Sequence, residues 1–334
     1  MATRIEELSQ LRKRRRLDQV MVTGQYDILA LTGIDTDNGI LTEDRLYTDF
    51  RYIPAARRVA PDLKVVDIKR FRPAAGRVGC DFRMAHSRVL SFQKRSPKTK
   101  FVDIAKDLSA IRSVKTPSEI ERIRAAEKLV CEIWQDASAA FRPGMTERQM
   151  AAVIKKMMID RGEGEAFESI VCVGKNAAEC HHIPDDTEWN GREPVLVDIG
   201  VRLGGVCSDL TRNLVPARPS ALYRKVYDVV RRANLAAIAA AKPGITGKAL
   251  DRVARQVIAG AGFGKCFGHS LGHGVGLEVH EAPMLAKKID TRLKPGMLVT
   301  IEPGIYLEDN LGVRIEDLIL ITETGCEVLS PAKK

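Results

Sequence analysis

The 334-residue sequence has no C-x-x-C pair, and its seven cysteines are scattered along the chain. This odd, dispersed set excludes a disulfide scaffold and is typical of free thiols in a reducing compartment, so we expect a cytoplasmic protein. No apolar run approaches the roughly 18 residues that span a bilayer, which argues against a membrane partner. Residues 1–20 include five consecutive basic residues but no apolar core, so we expect no secretory signal.

Aromatic residues are scarce, at 5% of the chain, and basic residues are unevenly distributed. Residues 1–115 contain 24 Lys and Arg against 14 Asp and Glu, whereas the remainder contains 29 of each, so the net charge of +10 lies in the first third. A basic region can attract nucleic acid. Here the basic residues are not interleaved with aromatic side chains that could stack on bases. We therefore expect a solvated basic surface and no nucleic-acid partner.

Length and turn signals divide the chain into two domains, in line with about 150 residues per domain. The first, residues 1–115, is predicted to be a small α/β domain. Its predicted elements are one helix and three short strands, at 4–17, 19–22, 40–42 and 63–66. Thr116, Pro117 and Glu119 then form the signature of a capping box that begins a long helix. The second domain is therefore expected to span residues 116–334.

A five-residue motif recurs in the second domain. Arg142-Pro143-Gly144-Met145-Thr146 returns 100 residues later as Lys242-Pro243-Gly244-Ile245-Thr246. Each copy lies between a long predicted helix and a shorter amphipathic one, and strands follow in both cases. The predicted helices are 118–140, 147–161, 219–241 and 247–259. The same order of elements twice over indicates an internally duplicated α+β domain, with a site between its halves.

Four acidic residues interrupt otherwise apolar strand patterns. Asp198 and Asp209 flank the turn residues Gly204-Gly205, and Glu302 and Glu316 flank a second predicted turn. We expect each pair to face across its hairpin, which is destabilising unless a cation lies between the carboxylates. Alternatively, each acid could face water on the open side of an antiparallel sheet. Four acids arranged as two facing pairs favour metal ligands.

Five of the six histidines lie in the last half of the chain, at His181, His182, His269, His273 and His280. The segment 267–276 is too rich in glycine for a stable helix, which disfavours a helical zinc-protease motif. Its glycines predict close approach of the backbone to a ligand. Four carboxylates and an imidazole suit Mn²⁺, with Co²⁺ or Zn²⁺ as alternatives. They exceed the ligands of one catalytic zinc, so we expect two divalent ions sharing a water.

On these motifs the chain resembles the pita-bread metallopeptidase family, in the Xaa-Pro branch that contains prolidase and aminopeptidase P. Residues 26–33, which end in Leu31-Thr32-Gly33, and Asp49-Phe50-Arg51-Tyr52 are similar to the creatinase-type amino-terminal domain, and residues 111–120 match its linker. The resemblance covers nearly the whole chain. It implies an α+β protein in which a small α/β creatinase-like domain precedes a duplicated pita-bread catalytic domain.

The resemblance also implies roles for the candidate residues. The implied metal ligands are Asp198, Asp209, His273, Glu302 and Glu316. The implied catalytic residues are His181, His269, His280, Glu302 and Arg314. In this scheme His269 and His280 hold the substrate and stabilise the tetrahedral intermediate, and His181 is the histidine that the first half contributes. Glu302 also carries the proton of the attacking water. The arginine neutralises the carboxylate cluster.

We therefore predict metal-dependent hydrolysis of Xaa-Pro bonds by a hydroxide that bridges two ions. The expected substrates are short proline-containing peptides, and a homodimer is expected. The sequence leaves open whether the enzyme is a dipeptidase or an aminopeptidase P. One alternative is a hydrolase or lyase of the same fold that acts on a small non-peptide, because fold does not determine substrate. Another is a binding protein that uses its basic front domain, against which the five filled ligand positions argue.

Overall fold

A computed structural model describes residues 4–334, which divide between Arg112 and Ser113 into two compact units. Within this described part of the chain, no helix has both the length and the apolar character needed to cross a membrane.

The first unit is a small α/β body. Its helices are α1 (Ile5–Arg15), α2 (Gln25–Thr32), α3 (Ile53–Val59), α4 (His86–Arg95) and α5 (Ala105–Ser113), the last of which ends at the boundary. Its strands are β1 (Gln19–Met21), β2 (Gly39–Leu41), β3 (Arg45–Thr48), β4 (Lys64–Asp67), β5 (Gly76–Cys80) and β6 (Thr99–Asp103). Strands β1, β5 and β6 pair in parallel, and β2, β3 and β4 form a mixed sheet. The predicted α/β architecture of this region is confirmed.

Two helix pairs organise the second unit. They are α6 (Pro117–Ala140) with α7 (Glu147–Arg161), and α8 (Ala221–Ala240) with α9 (Gly247–Gly260). The Thr116 hydroxyl accepts the amide of Glu119, and the Glu119 carboxylate accepts the amide of Thr116, so the predicted capping box is present. Such a cap satisfies amides that the first helical turn leaves unpaired.

Strands follow each helix pair, as the duplication predicts. In the first half they are β7 (Ile170–Val173), β8 (Val195–Ile199), β9 (Arg202–Leu203), β10 (Val206–Cys207) and β11 (Leu210–Leu214). In the second half they are β12 (Gly272–Gly274), β13 (Glu281–Leu285), β14 (Leu298–Ile301), β15 (Gly304–Leu307), β16 (Leu311–Arg314), β17 (Asp317–Ile321) and β18 (Cys326–Val328). The sheet orders are β11-β8-β7 and β13-β12-β14-β17-β18, with β9-β10 and β15-β16 as separate hairpins. Each helix pair packs its apolar face on the sheet of its own half.

The two repeat motifs form the same turn. Gly144 has φ +90° and donates to the Trp189 carbonyl, and Gly244 has φ +86° and donates to the Leu293 carbonyl. Each motif ends in a threonine whose hydroxyl caps the following helix. A positive φ is a conformation that glycine adopts without strain, which explains why both copies carry it. The duplicated architecture is therefore confirmed.

The two hairpins differ in how well their register was predicted. The second is correct: Ile301 pairs with Asp317 and Gly304 with Arg314, so Glu302 and Glu316 stand at the same level of the hairpin. The first is wrong by two residues, because Asp198 pairs with Thr211 and not with Asp209.

The cause of this error is the centre of the hairpin, because an Asp198–Asp209 pair requires a centre between Leu203 and Gly204. Gly204 and Gly205 both have positive φ and form the two-residue turn themselves, so Leu203 pairs with Val206. Two central residues with positive φ are what a tight hairpin turn of this hand requires. A shift of two residues leaves side chains on the same face, so the error moves the partner without turning the aspartates away from the site.

Candidate metal centre

One cavity of about 360 Å³ in the second unit is lined by all nine predicted site residues. They are Asp198, Asp209, His273, Glu302, Glu316, His181, His269, His280 and Arg314. The first half contributes two aspartates and one histidine, and the second half contributes the rest. Asp209, Glu302 and Glu316 each lie between two consecutive strands, and Asp198 lies near the end of strand β8. The four carboxylates therefore meet in the cavity.

The ligand atoms of Asp209, His273 and Glu316 all lie within 4.8 Å of one another, and all three residues are buried. His273 Nε2 is 3.6 Å from an Asp209 carboxylate oxygen and 3.3 Å from a Glu302 oxygen. These distances bring one imidazole and three carboxylates around a common centre. Such a mixed nitrogen and oxygen set is suited to a divalent cation.

The orientation of His273 is determined by its neighbours. Its Nδ1 lies 3.1 Å from the Gly274 carbonyl, so that nitrogen donates and Nε2 keeps its lone pair towards the acids. Its backbone amide donates to the Thr300 hydroxyl, which in turn lies 3.3 Å from a Glu302 oxygen. This histidine lies in strand β12, so the segment is not helical, as its glycine content indicated.

The glycines around His273 have a different cause from the one predicted. A Cβ at Gly272 would lie 2.0 Å from the Thr300 carbonyl oxygen, and one at Gly274 would lie 2.3 Å from the Ala282 carbonyl oxygen. Strand β12 therefore lies in close contact with the backbone on both sides. The expectation that these glycines allow the backbone to approach a ligand is wrong for both positions. Only glycine leaves enough room for this approach.

Asp198 joins the centre from the first half. One of its oxygens accepts a hydrogen bond of 2.6 Å from Arg314, and the other is buried without a hydrogen-bond partner in the described residues. An unpaired buried carboxylate oxygen is costly unless a cation or a donor completes it. The residues present therefore fit a divalent metal, whose ligands would be the four carboxylates and His273.

The carboxylates resist ionisation while they are together without a cation. Burial raises the pKa of Glu302 to about 8, with the charge of Asp198 adding to the effect. Burial, followed by the charges of neighbouring acids, also raises the pKa of Asp209 and Glu316 well above their usual range. Positive charge from bound cations would reverse these shifts.

The four histidines of the cavity differ in what they contact. Burial lowers the pKa of His273 and of His269 to about 4, so both rings are neutral at pH 7. His269 uses both nitrogens within the protein, towards the Ser270 carbonyl and the Tyr306 hydroxyl. His181 and His280 are exposed to the cavity, and in residues 4–334 no hydrogen bond is formed by their ring nitrogens. These two rings are the ones free to meet a substrate.

Two polar side chains of the site, Tyr306 and Thr211, were not predicted from the sequence. The Tyr306 hydroxyl lies 2.9 Å from His269 Nε2 and accepts a 2.8 Å bond from Arg314. The Thr211 hydroxyl donates to Glu316 over 2.7 Å and accepts from Arg314 over 3.1 Å. Thr211 pairs with Asp198 across the ladder, and Tyr306 lies in β15, which pairs with the strand of Arg314. A polar side chain in a strand that pairs with a site strand is the signal that could have identified them.

Family models account for both units of the chain. The model of metallopeptidase family M24 matches residues 121–323, which is more than half of the chain. The chain belongs to metallopeptidase family M24. The creatinase/prolidase N-terminal domain matches residues 4–114. The fold predicted from the sequence is thereby confirmed, and the centre is that of an M24 metallopeptidase, which uses divalent metal ions.

Several M24 relatives match over almost the whole chain. An Xaa-Pro dipeptidase of Pyrococcus furiosus is 32% identical over 345 residues, covering 100% of this chain and 99% of the relative. The solved prolidase from Pyrococcus furiosus superposes with a TM-score of 0.90 at 33% identity, covering 97% of this chain and 99% of that one. An X-Pro aminopeptidase from Thermotoga maritima gives a TM-score of 0.85 at 30% identity, with 96% and 99% covered.

Proposed function

We propose that this M24 enzyme hydrolyses the peptide bond that precedes proline in short peptides, using two divalent ions held by Asp198, Asp209, His273, Glu302 and Glu316. The observation that carries the proposal is the convergence of these five side chains in one cavity. Full-length similarity to Xaa-Pro dipeptidases supports the choice of substrate.

Divalent ions in these ligands would supply a water that is nucleophilic at neutral pH and would polarise the scissile carbonyl. Glu302 is placed to move the proton, because its carboxylate lies 3.3 Å from His273 Nε2 and faces the cavity. A carboxylate beside the attacking water can take its proton and return it to the leaving prolyl nitrogen. The Thr300 hydroxyl holds this carboxylate in orientation.

His181 and His280 act on the substrate in this proposal. The His280 ring packs edge-on against the His273 ring, with centroids 4.3 Å apart, so it stands next to the expected ligand cluster. Burial lowers the pKa of His280, which keeps the ring a neutral donor. A neutral N–H aimed at the developing oxyanion stabilises it without adding a competing charge.

The remaining cavity wall suits a prolyl ring. Phe167, Ile170 and Val279 line it with apolar surface, facing the acids and histidines. An Xaa-Pro bond is a tertiary amide with no N–H and a ring that fixes φ, so a site for an ordinary amide fits it poorly. Contacts to the ring can instead hold the bond in attack geometry. The trans isomer is expected as substrate, since it dominates Xaa-Pro bonds in peptides.

The test compares matched substrates. Ala-Pro and Phe-Pro should be hydrolysed with kcat/KM on the order of a hundredfold above Ala-Ala and Phe-Ala, about 2.7 kcal/mol. Assays in Mn²⁺ buffer with longer Xaa-Pro peptides in parallel also separate dipeptidase from aminopeptidase P activity. Equal rates on the proline and alanine substrates would leave the metal centre in place and remove the Xaa-Pro assignment.

Further parts of the proposal concern metal, assembly and location. We propose Mn²⁺ because the donor set is rich in oxygen, and metal analysis of the purified enzyme tests it. A cytoplasmic location is supported by the seven free cysteines. The homodimer rests on the family resemblance, and light scattering tests it. The proposed division at residues 115 and 116 is supported by the limits of the two family matches.

A further inference from the structure

A fully buried carboxylate outside the metal centre holds together a segment of irregular chain. Glu147 is the first residue of helix α7, and its side chain has 0% exposure. Both of its oxygens are surrounded by donors from a single stretch, residues 173–185. These donors are the Val173 amide at 2.6 Å, the Asn176 side-chain amide at 2.9 Å, His182 Nε2 at 2.7 Å and the Asp185 amide at 3.1 Å.

The stretch that Glu147 holds has little regular structure of its own. A 3₁₀ helix at Gly174–Ala178 follows strand β7, and no regular element then occurs in the described chain before strand β8. Backbone that no ladder stabilises depends on side-chain acceptors for its conformation. His181, the one cavity histidine from the first half, lies in this stretch next to His182. The two neighbouring rings therefore have different tasks, one in the cavity and one on the buried carboxylate.

His182 lies among acidic groups. Its Nε2 lies 2.7 Å from Glu147, and its Nδ1 lies 3.5 Å from Glu179, so both nitrogens face carboxylates. Asp185 adds a third acidic group at 3.9 Å. Burial lowers the pKa of His182, but the hydrogen bond and charge of Glu147 outweigh burial and raise the pKa above its ordinary value. The raised pKa favours the protonated ring, and a charge-assisted hydrogen bond is about twice as strong as a neutral one.

The same three residues could be read as a metal site, since Glu147, His182 and Asp185 bring ligand atoms within 4.8 Å of one another. The hydrogen bonds argue against it. Each oxygen of Glu147 already accepts a backbone amide, and the Asn176 amide adds a third neutral donor. A cation at this carboxylate would face the N–H groups directed at it. The geometry is that of an acceptor that gathers chain donors.

At the equivalent position the second half of the domain has no carboxylate, and the buried acid of helix α9 is Asp251, four residues later, which accepts the Leu271 amide and pairs with Arg255. Gly247 takes the place of Glu147 after the repeated threonine, and a Cβ there would lie 2.5 Å from the Met284 carbonyl oxygen. The corresponding chain therefore packs directly on helix α9. A buried glutamate at this position is therefore a feature of the first half, whose stretch 173–185 carries His181.

We propose that Glu147 and His182 are positioning residues for His181, and that their bond sets the place of that ring in the cavity. The inference rests on the proposed function, since it assigns His181 a contact with the peptide substrate. A ring displaced by about 1 Å can cost up to a hundredfold in rate. His182→Ala should therefore lower kcat/KM for Ala-Pro at least tenfold, with the same pattern in kcat and KM as His181→Ala.

A double-mutant cycle separates positioning from general stability. When His181 is already alanine, adding His182→Ala should lower kcat/KM no further, within about twofold. His182→Gln keeps an N–H donor for Glu147 and should recover most of the activity. Arg148→Ala is the matched control, because it removes only an exposed ion pair to Asp186 in the same region and should leave the rate unchanged. Multiplying losses in the double variant would overturn the proposal.

Hydrogen exchange provides a readout that does not depend on activity. In His182→Ala, and in Glu147→Gln if it folds, peptides covering residues 174–187 should exchange faster, while those covering β8 and β14 and the bound metal content stay unchanged. Unchanged exchange in 174–187, or loss of metal from His182→Ala, would overturn the proposal. A wild-type enzyme without preference for proline would instead remove the proposed function, which is a different result.

Discussion

The two halves of the catalytic unit share a frame and differ in what they place on it. Each has a long helix, a turn through a glycine with positive φ, a shorter helix capped by threonine, and a sheet interrupted by a hairpin. The first half supplies two aspartates and one histidine to the cavity, and the second supplies two glutamates, three histidines and an arginine. The two halves therefore have the same order of helices and strands but contribute different side chains to the cavity.

Neither half completes the centre alone. Arg314 of the second half pairs with Asp198 of the first, and Thr211 of the first half bonds to Glu316 of the second. Each donor satisfies an acid that the opposite half contributes. The difference between the halves is therefore complementary, and changes that affect one half should be felt in the other.

Metal removal should have the largest effect, because it exposes both halves to the same repulsion. Four carboxylates gathered in a buried cavity repel one another without cations. Chelation should abolish peptidase activity and lower the melting temperature. An ion whose free concentration is a hundred times its Kd stabilises the folded state by about 2.7 kcal/mol. Mn²⁺ or Co²⁺ should restore both.

The matched variant is Glu316→Gln, which should lose at least one ion and weaken metal retention by the first-half ligands as well. Calorimetry and metal analysis measure this. Full activity in the dialysed, chelator-treated enzyme would contradict metal dependence, and an unchanged metal content in the variant would contradict the coupling of the halves.

The next largest effect should come from a cavity histidine of the second half. His280→Ala should lower kcat by roughly two to three orders of magnitude, because a donor to a developing oxyanion contributes about 3–4 kcal/mol. Metal content should stay at the wild-type level. His86→Ala, in helix α4 of the first unit, is the control and should be unaffected. A loss of metal in His280→Ala would make the residue a ligand or a structural element instead.

The metal-free enzyme should lose stability as pH rises from 6.5 to 8. The folded-state pKa of Glu302 is about 8, so the folded chain holds a proton that the unfolded chain has released, and stability falls with rising pH in this window. His269 and His273, whose pKa values are near 4, have the opposite effect only below pH 6.5, the ordinary histidine value.

Melting temperatures of chelated and Mn²⁺-loaded protein at the two pH values measure this effect. The difference between the forms isolates the metal centre, because His182 titrates in both. The gap in melting temperature should widen towards pH 8. A constant gap would contradict the raised pKa of Glu302 in the metal-free folded state.

The two hairpins show how much of the site could be predicted from sequence. Apolar strands interrupted by acids were sufficient to select the four acids that line the cavity, and the second register followed from its turn at Asp309, which has φ +54°. The first register failed because its expected centre, between Leu203 and Gly204, lies one residue before the observed centre between Gly204 and Gly205. Since side chains alternate along a strand, an even error of this kind still predicts the correct face.

Contacts between distant side chains could not be predicted in this way. Tyr306 lies between His269 and Arg314, and Glu147 gathers donors that lie 26 to 38 residues away. Neither arrangement has a periodic signal, because both depend on how separate elements pack. Sequence spacing therefore indicated which residues carry the chemistry and left undetermined what holds them in place.

The smallest predicted effect tests the difference between the halves at the start of their second helices. Gly247→Ala should destabilise the enzyme by about 1–3 kcal/mol, the usual cost of overpacking, because the new Cβ would meet the Met284 carbonyl oxygen at 2.5 Å. Gly260→Ala at the other end of helix α9 has nothing within 4 Å and should be neutral or stabilising by about 0.4–1 kcal/mol. Thermal denaturation of the two variants, loaded with metal, compares them. Equal melting temperatures would mean that the second half has room for a side chain at position 247, and that its lack of a buried carboxylate there has no steric cause.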